Sequence, residues 1–157
     1  MLPHTHFLFA LLVGILAYYK GQITSANIII IAILSTIIDI DHPIAYLRHH
    51  KKLSLKKAWN NAVTAHEHQR TIIHKPLGIS IITISLFILL QFYPQTNILF
   101  LAYFSHMFLD YVHLTKEKIK KHNFINLFNI LIPISPSEIA FDIILIISNL
   151  VAFYYFF

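Results

Sequence analysis

Five stretches of the chain are almost purely apolar: residues Phe7–Tyr19, Ala26–Ile38, Pro76–Tyr93, Asn97–Val112 and Ile139–Phe157. The first closes at Lys20-Gly21. The second is nearly all Ile, Ala and Leu and runs into two aspartates, and Pro94 stops the third. A helix that crosses a bilayer takes about 20 apolar residues, with roughly 17 as the lower limit. The first, second and fourth stretches reach that length only if their polar ends count, which places those ends inside protein rather than lipid. Between the second and third lies a polar stretch, Arg48–Lys75. Ser54 is suited to cap a helix there. Leu55, Ala58, Trp59, Ala62 and Val63 then share one face at i, i+3, i+4 spacing, with Lys56, Lys57, Asn60 and Asn61 opposite. That pattern predicts an amphipathic helix lying in the membrane interface. Phe124–Ile134 (FINLFNILIPI) is apolar but too short to span, and is expected to lie on the membrane or re-enter it. With no repeat or linker, residues 1–157 read as one membrane-embedded, all-α domain: an integral membrane bundle of about five helices plus the interfacial one.

Composition strengthens this picture. The chain is 57% hydrophobic and 12% charged, with mean hydropathy +0.65. A soluble domain is about one-quarter charged and about half apolar. No Lys or Arg precedes the first apolar run, and no small-x-small site follows at Ala17–Gly21. A cleaved signal peptide is therefore not expected. Of 12 Lys and Arg, all but Lys20 fall in the second-to-third and fourth-to-fifth connections. The positive-inside rule makes that side cytoplasmic. Five spans then give a multi-pass protein of the inner (cytoplasmic) membrane with a cytoplasmic N-terminus. The net charge of +5 suits membrane lipid or a phosphoester as partner, and no specific nucleic acid is expected.

Histidine changes the picture from an inert bundle to a candidate site. There are 11, against 7 acidic residues and no cysteine. His4 and His6 open the first segment, and Asp39, Asp41 and His42 close the second. His66, His68, Arg70 and His74 lead into the third, His106, Asp110 and His113 occupy the fourth, and Glu138 and Asp142 open the fifth. The topology puts all of them at one membrane face. A carboxylate in lipid costs roughly 2.5–3.5 kcal/mol on insertion scales, so such groups are normally enclosed and paired. A divalent cation would partner several at once. Without sulfur the donors are N and O, which suits Zn first, with Mn, Fe or Mg as alternatives.

His106 and Asp110 stand at i, i+4 and project from one helix face; a buried His–Asp clamp is the alternative reading. Asp39 and Asp41 are two apart, so one is expected to ligate while the other orients or acts as base. Pro43 is expected to bias His42 out of helical geometry, turning the DIDH run toward a common point. Arg70 and His74 are again i, i+4: His74 suits a metal, Arg70 an anionic substrate, and a positive-inside anchor is the alternative. His66 and His68 could stand behind the ligands. His49, His50 and His122 sit among lysines and read as solvated surface. Glu138 and Asp142 read as favourable charge at a helix N-terminus. The candidate metal ligands are thus His6, Asp39, Asp41, His42, His74, His106 and Asp110, and the candidate catalytic groups Asp41, His68 and Arg70.

Four motifs in order, THFLFA, DIDHP, RTIIH and SHMFLD, resemble the bacterial inner-membrane metal-dependent hydrolases, a family with a LexA-binding, SOS-induced member. The likeness runs over residues 4–112. Its pattern of GH, DIDHP, HRGxTH and SHxxxD falls on His6; on Asp39, Asp41 and His42; on Arg70 and His74; and on His106 and Asp110. Gln69 stands where the pattern has a histidine, with His68 one place earlier. His113-Leu-Thr replaces a T-P-x-G stretch. The arrangement is also distantly similar to zinc-dependent phospholipase C and single-strand nucleases. The resemblance implies metal-dependent cleavage of an ester or phosphoester, a lipid head group included, at the cytoplasmic face. A metal or proton transporter, and a non-catalytic protein binding a regulator or anionic lipid, are the competing classes.

Overall fold

The computed structural model describes residues 3–51, 54–64, 72–117, 123–127, 130–134 and 136–157. Helix α1 spans Pro3–Tyr19 and opens on a proline, whose fixed φ and missing N–H suit a first turn. It ends because Gly21 enters the left-handed region at φ 68°. The Gly21 and Gln22 amides then close back on the Tyr18 and Ala17 carbonyls, the usual glycine-terminated helix end. Helix α2 spans Ser25–Ile37, tightens to a 3-10 turn at Ile38–Ile40 and resumes as α3, Asp41–His50. Helix α4 covers Leu55–Thr64, where the amphipathic pattern predicts it. The Lys57 N–H reaches the Ser54 hydroxyl at 3.4 Å, and Ala58 is buried while Lys56 and Lys57 are exposed. A 3-10 turn at Ile72–His74 leads into α5, Pro76–Phe92, and a further one at Pro94–Thr96 leads into α6, Asn97–Glu117. Strands β1 (Asn123–Leu127) and β2 (Ile130–Ile134) form an antiparallel hairpin with Asn123 opposite Ile134 and Leu127 opposite Ile130. Helix α7, Pro136–Phe156, closes the described chain.

The architecture is all-α apart from that hairpin. The FINLFNILIPI segment, expected to lie on the membrane or re-enter it, pairs with itself as this hairpin. One expectation needs correction. Pro43 does not expel His42 from helical geometry. It lies in the first turn of α3, where an N–H has no helical partner to lose, and the chain tightens one turn earlier, around Asp39.

Small residues line the seams. Ala10 of α1, Ile31 and Ala32 of α2 and Ala102 of α6 form one buried cluster, and Ile15, Ile28 and Ala152 another. A Cβ on Gly14 would stand 3.2 Å from the Ile28 Cα, so α1 and α2 approach closely there. Large apolar side chains face outward instead: Ile29, Ile30, Ile33 and Ile37 on α2, and Ile143, Ile144, Ile146, Ile147 and Leu150 on α7. Close backbones with bulky residues turned outward are the packing expected in lipid, where apolar surface gains nothing by hiding from its surroundings. Ser25–Arg48 and Pro136–Phe156 are long and apolar enough to cross a bilayer, while α1 and α5 are apolar but have 17 residues each.

Contacts set the directions of the helices. Asp142 meets His4, Asn149 meets Leu8, and Phe157 stacks on Tyr18, so α1 and α7 run parallel. Ser35 meets Ser105 while Ala32 and Ala102 share a cluster, so α2 and α6 also run parallel. The Asn149 amide donates to the Leu8 carbonyl at 3.0 Å and to the Leu145 carbonyl at 2.8 Å. Interhelical bonds of this kind average about 0.6 kcal/mol in membranes. Asn149→Leu should therefore cost no more than about 1 kcal/mol in bilayer unfolding measurements. A larger loss would mean that this bond, and not packing, holds α7 to α1.

Candidate metal centre

Each site residue is placed by a different local device. His6 sits in the first turns of α1, sealed against α6: its ring stacks on His106 with centroids 4.0 Å apart and planes 19° from parallel. Asp39 lies in the 3-10 turn that ends α2. Thr36 returns its hydroxyl to the Ala32 carbonyl at 3.0 Å just before that turn, a bond that bends helices. His74 ends the Ile72–His74 turn, which lies against the start of α5 where Gly78 has no side chain. His106 and Asp110 are one turn apart on α6.

These five side chains converge. His6 Nε2 stands 3.5 Å from Asp110 Oδ1 and 4.0 Å from Asp39 Oδ2. His74 Nε2 stands 3.6 Å from Asp110 Oδ2 and 3.9 Å from Asp39 Oδ1. His106 Nε2 is 3.4 Å from Asp39 Oδ1 and 3.2 Å from His74 Nε2. All three histidines present Nε2, and each carboxylate faces two or more of them.

His106 Nδ1 is 2.7 Å from the Ser35 carbonyl oxygen. A carbonyl only accepts, so Nδ1 donates to it, and in the neutral ring this leaves Nε2 to present its lone pair to the cluster. This is the arrangement that metal-ligating histidines usually show. The Ser105 hydroxyl, which donates to the Ala102 carbonyl at 3.0 Å, lies 3.4 Å from that of Ser35. The two small side chains let α2 and α6 come close enough for the His106 contact.

The cluster fits a divalent cation on three grounds. Neither ring nitrogen of His6 has a hydrogen-bond partner among the described residues, although the ring is fully buried. Such a group is costly unless something binds it. Second, the set carries two carboxylates, whose charge a divalent ion would cancel while the imidazoles ligate it as neutral donors. Third, donors about 2.0–2.2 Å from one tetrahedral ion stand roughly 3.3–3.6 Å from each other, and the closest donor pairs here are 3.2 to 4.0 Å apart. His6, Asp39 and His106, and likewise His74, His106 and Asp110, form groups whose donors lie mutually within 4.8 Å.

Other candidates fall differently. His4 turns to α7, with Nε2 2.8 Å from Asp142 Oδ2. The Thr5 hydroxyl donates to Glu138 at 3.4 Å. Glu138 and Asp142 thus reach across to α1, and spacing along α7 alone carries no signal of that. His66, His68 and Arg70, and the side chains of Asp41, His42, His49, His50 and His113, lie outside the described residues, as does His122. Residues that hold the histidines, chiefly Ser35, Ser105 and Gly78, are invisible to a search for ionisable groups. Only Gly78, one of three glycines, could have been noticed.

The fold and the cluster together define a helical membrane protein carrying a His/Asp donor set inside its bundle. The family model described as YdjM inner membrane protein matches residues 1–157, and the chain belongs to that family. No curated protein and no solved structure matches it.

Proposed function

We propose that this protein is a membrane-embedded, metal-dependent hydrolase that cleaves an ester or phosphoester. The observation that carries the reading is the meeting of His6, Asp39, His74, His106 and Asp110 at one buried place. His106 would hold the ion with His6 and Asp39, or with His74 and Asp110, the two groups whose donors come together, zinc before manganese, iron or magnesium, since the set is nitrogen-rich and sulfur-free. When bound, a divalent cation polarises the scissile group and acidifies a water.

The protein's own groups supply the rest. The imidazoles are sealed, with side-chain exposure of 1% or less, whereas Asp39 and Asp110 keep 19% and 13%. Substrate and water therefore approach from the carboxylate side. Water adds to the carbonyl carbon or phosphorus, its proton passes to one carboxylate, and the ester C–O or P–O bond breaks. The same carboxylate returns the proton to the departing oxygen. Asp41 and His68 are further candidates for that transfer, and Arg70, four residues before His74, for steadying the anion. The distant similarity of the arrangement to zinc-dependent phospholipase C favours phosphoesters.

Parallel α1 and α7, and parallel α2 and α6, are the directions that five alternating crossings produce. The basic connections orient such a protein with its N-terminus in the cytoplasm. A transporter is disfavoured, since the far halves of the apolar segments contain no His, Asp or Glu to continue an ion path.

The test is metal analysis of the purified protein, followed by a screen of phosphodiester, phosphomonoester and carboxylester reporters with and without chelator. Chelation should abolish turnover and Zn²⁺ should restore it. Asp39→Asn and Asp110→Asn should each lower turnover at least 100-fold. Metal-loaded protein that cleaves none of the three ester classes would overturn the proposal.

A further inference from the structure

The depth of the centre points to its substrate. One end of the bundle carries Tyr18, Tyr19 and Lys20 at the end of α1, Tyr93 after α5, and Tyr154 and Tyr155 at the end of α7. Tyr19, Tyr93, Tyr154 and Tyr155 are all exposed. Tyrosines gathered at one level mark a membrane–water interface. His6 lies thirteen residues from Tyr19 along α1, and Asp110 thirteen from Asn97 along α6. Each distance is about 20 Å of helix. The hydrocarbon layer is about 30 Å thick. The donors therefore stand about 10 Å inside its other boundary, and any helix tilt brings them deeper.

The α1–α7 register agrees in direction, placing His6 inside the helix ends and not at them. His4 lies opposite Asp142 and Tyr18 opposite Phe157, so His6 falls near the level of Ile144. That is eight residues, about 12 Å, beyond the first residue of α7.

Exposed apolar side chains line the approach, Ile37, Ile40, Ile44 and Leu47 along the course of α2 into α3 and Ile72 and Leu77 beside His74. The exposed Lys75 and Tyr111 stand among them, amphipathic side chains whose polar tips can reach toward the boundary. At the end of that course Arg48, Lys51, Lys56 and Lys57 are all exposed. A phosphate-bearing lipid head is attracted to such a collar by about 1 kcal/mol per cation near the surface, which leaves its ester linkages at the depth of the two carboxylates.

We propose that the His6–Asp39–His74–His106–Asp110 centre lies within the hydrocarbon layer and acts on a membrane-resident anionic amphiphile. Its head rests on the Arg48–Lys57 collar, and the reacting ester lies about 10 Å below. The substrate class rests on the hydrolase reading above; the depth does not.

The chain contains no cysteine, so single-cysteine labels report cleanly. Phe104→Cys and Phe108→Cys sit at the level of His106 on the exposed side of α6, and Lys57→Cys provides a reference on the collar. Each is labelled with bimane in vesicles of phosphatidylglycerol and phosphatidylethanolamine. Acyl-brominated lipids should quench both α6 labels at least threefold more than they quench the collar label, and aqueous iodide should show the reverse order. Iodide quenching of the α6 labels equal to that of the collar label would overturn the depth.

In the same vesicles, Zn²⁺-loaded protein should cleave a fluorogenic phosphatidylglycerol ester at least tenfold faster than the soluble bis(p-nitrophenyl) phosphate or p-nitrophenyl acetate. Equal or faster cleavage of the soluble esters would remove the amphiphile and leave the hydrolase standing. Cleavage of neither would remove the hydrolase, and the amphiphile with it, while the quenching result would still decide the depth.

Discussion

Replacing His106 by alanine should strip the protein of bound divalent metal while leaving it folded. His106 is the hub of the cluster. It lies closest to another imidazole, 3.2 Å from His74. It faces Asp39 at 3.4 Å and carries the stacked ring of His6. Truncation removes a donor, the stacking surface that orients His6, and the anchor to the Ser35 carbonyl. Losing a group that merely orients a ligand weakens a metal site about 10–100-fold, so losing a donor together with its orienting contacts should exceed 100-fold. Metal content after dialysis against a weak chelator reads this directly. His4→Ala is the matched control, because His4 turns to Asp142 on α7, and it should keep its metal. If His106→Ala retains a full metal complement, these residues form a hydrogen-bonded clamp and nothing more.

The second large effect lies at a residue that touches no donor. A Cβ at position 78 would stand 1.8 Å from the Ile72 carbonyl oxygen and 2.7 Å from its carbon. Both are backbone atoms, so no rotamer relieves the clash. In Gly78→Ala the turn Ile72–His74 must lift off α5, and His74, which ends that turn, moves with it. Forced overpacking costs about 1–3 kcal/mol and occasionally more, and a clash this short belongs at the top of that range. The functional consequence should exceed the structural one: a shift of about 1 Å takes His74 Nε2 out of bonding range of an ion held by the others. Gly78→Ala should therefore lower the thermal midpoint in detergent and lose metal affinity by at least tenfold. Gly14→Ala is the comparison. There the nearest contact is 3.2 Å, to Ile28 on α2, so stability should fall slightly with metal affinity unchanged. Equal metal affinity in the two variants would show that the turn does not position His74.

Much of this was readable from residue order. The apolar stretches ending in His or Asp announced helices whose polar ends must be enclosed, and α1, α2, α5, α6 and α7 follow them to within a few residues. The i, i+4 spacing of His106 and Asp110 put both on one face, and the alternation around Trp59 announced α4. Other features were not legible. FINLFNILIPI has the composition of a membrane-associated segment, and hairpin pairing is a choice its backbone makes with itself. Glu138 and Asp142 occupy positions where a helix N-terminus would favour them anyway, so nothing in their spacing pointed to His4 and Thr5.

Hydrophobic periodicity and the scarcity of charge settle the class by themselves, because apolar stretches with too little polar surface to cover them belong in lipid whatever their tertiary contacts. Which histidines meet is a different kind of question. His6 and His4 lie two residues apart on one apolar helix, yet about 200° of helical rotation sends one to α6 and the other to α7. That division follows from where α6 and α7 lie around α1, which small residues at Ala10, Gly14, Ala32, Ser35 and Ala102 determine by letting the backbones approach. Donor chemistry is local, whereas a shared point a few ångströms across is a property of packing.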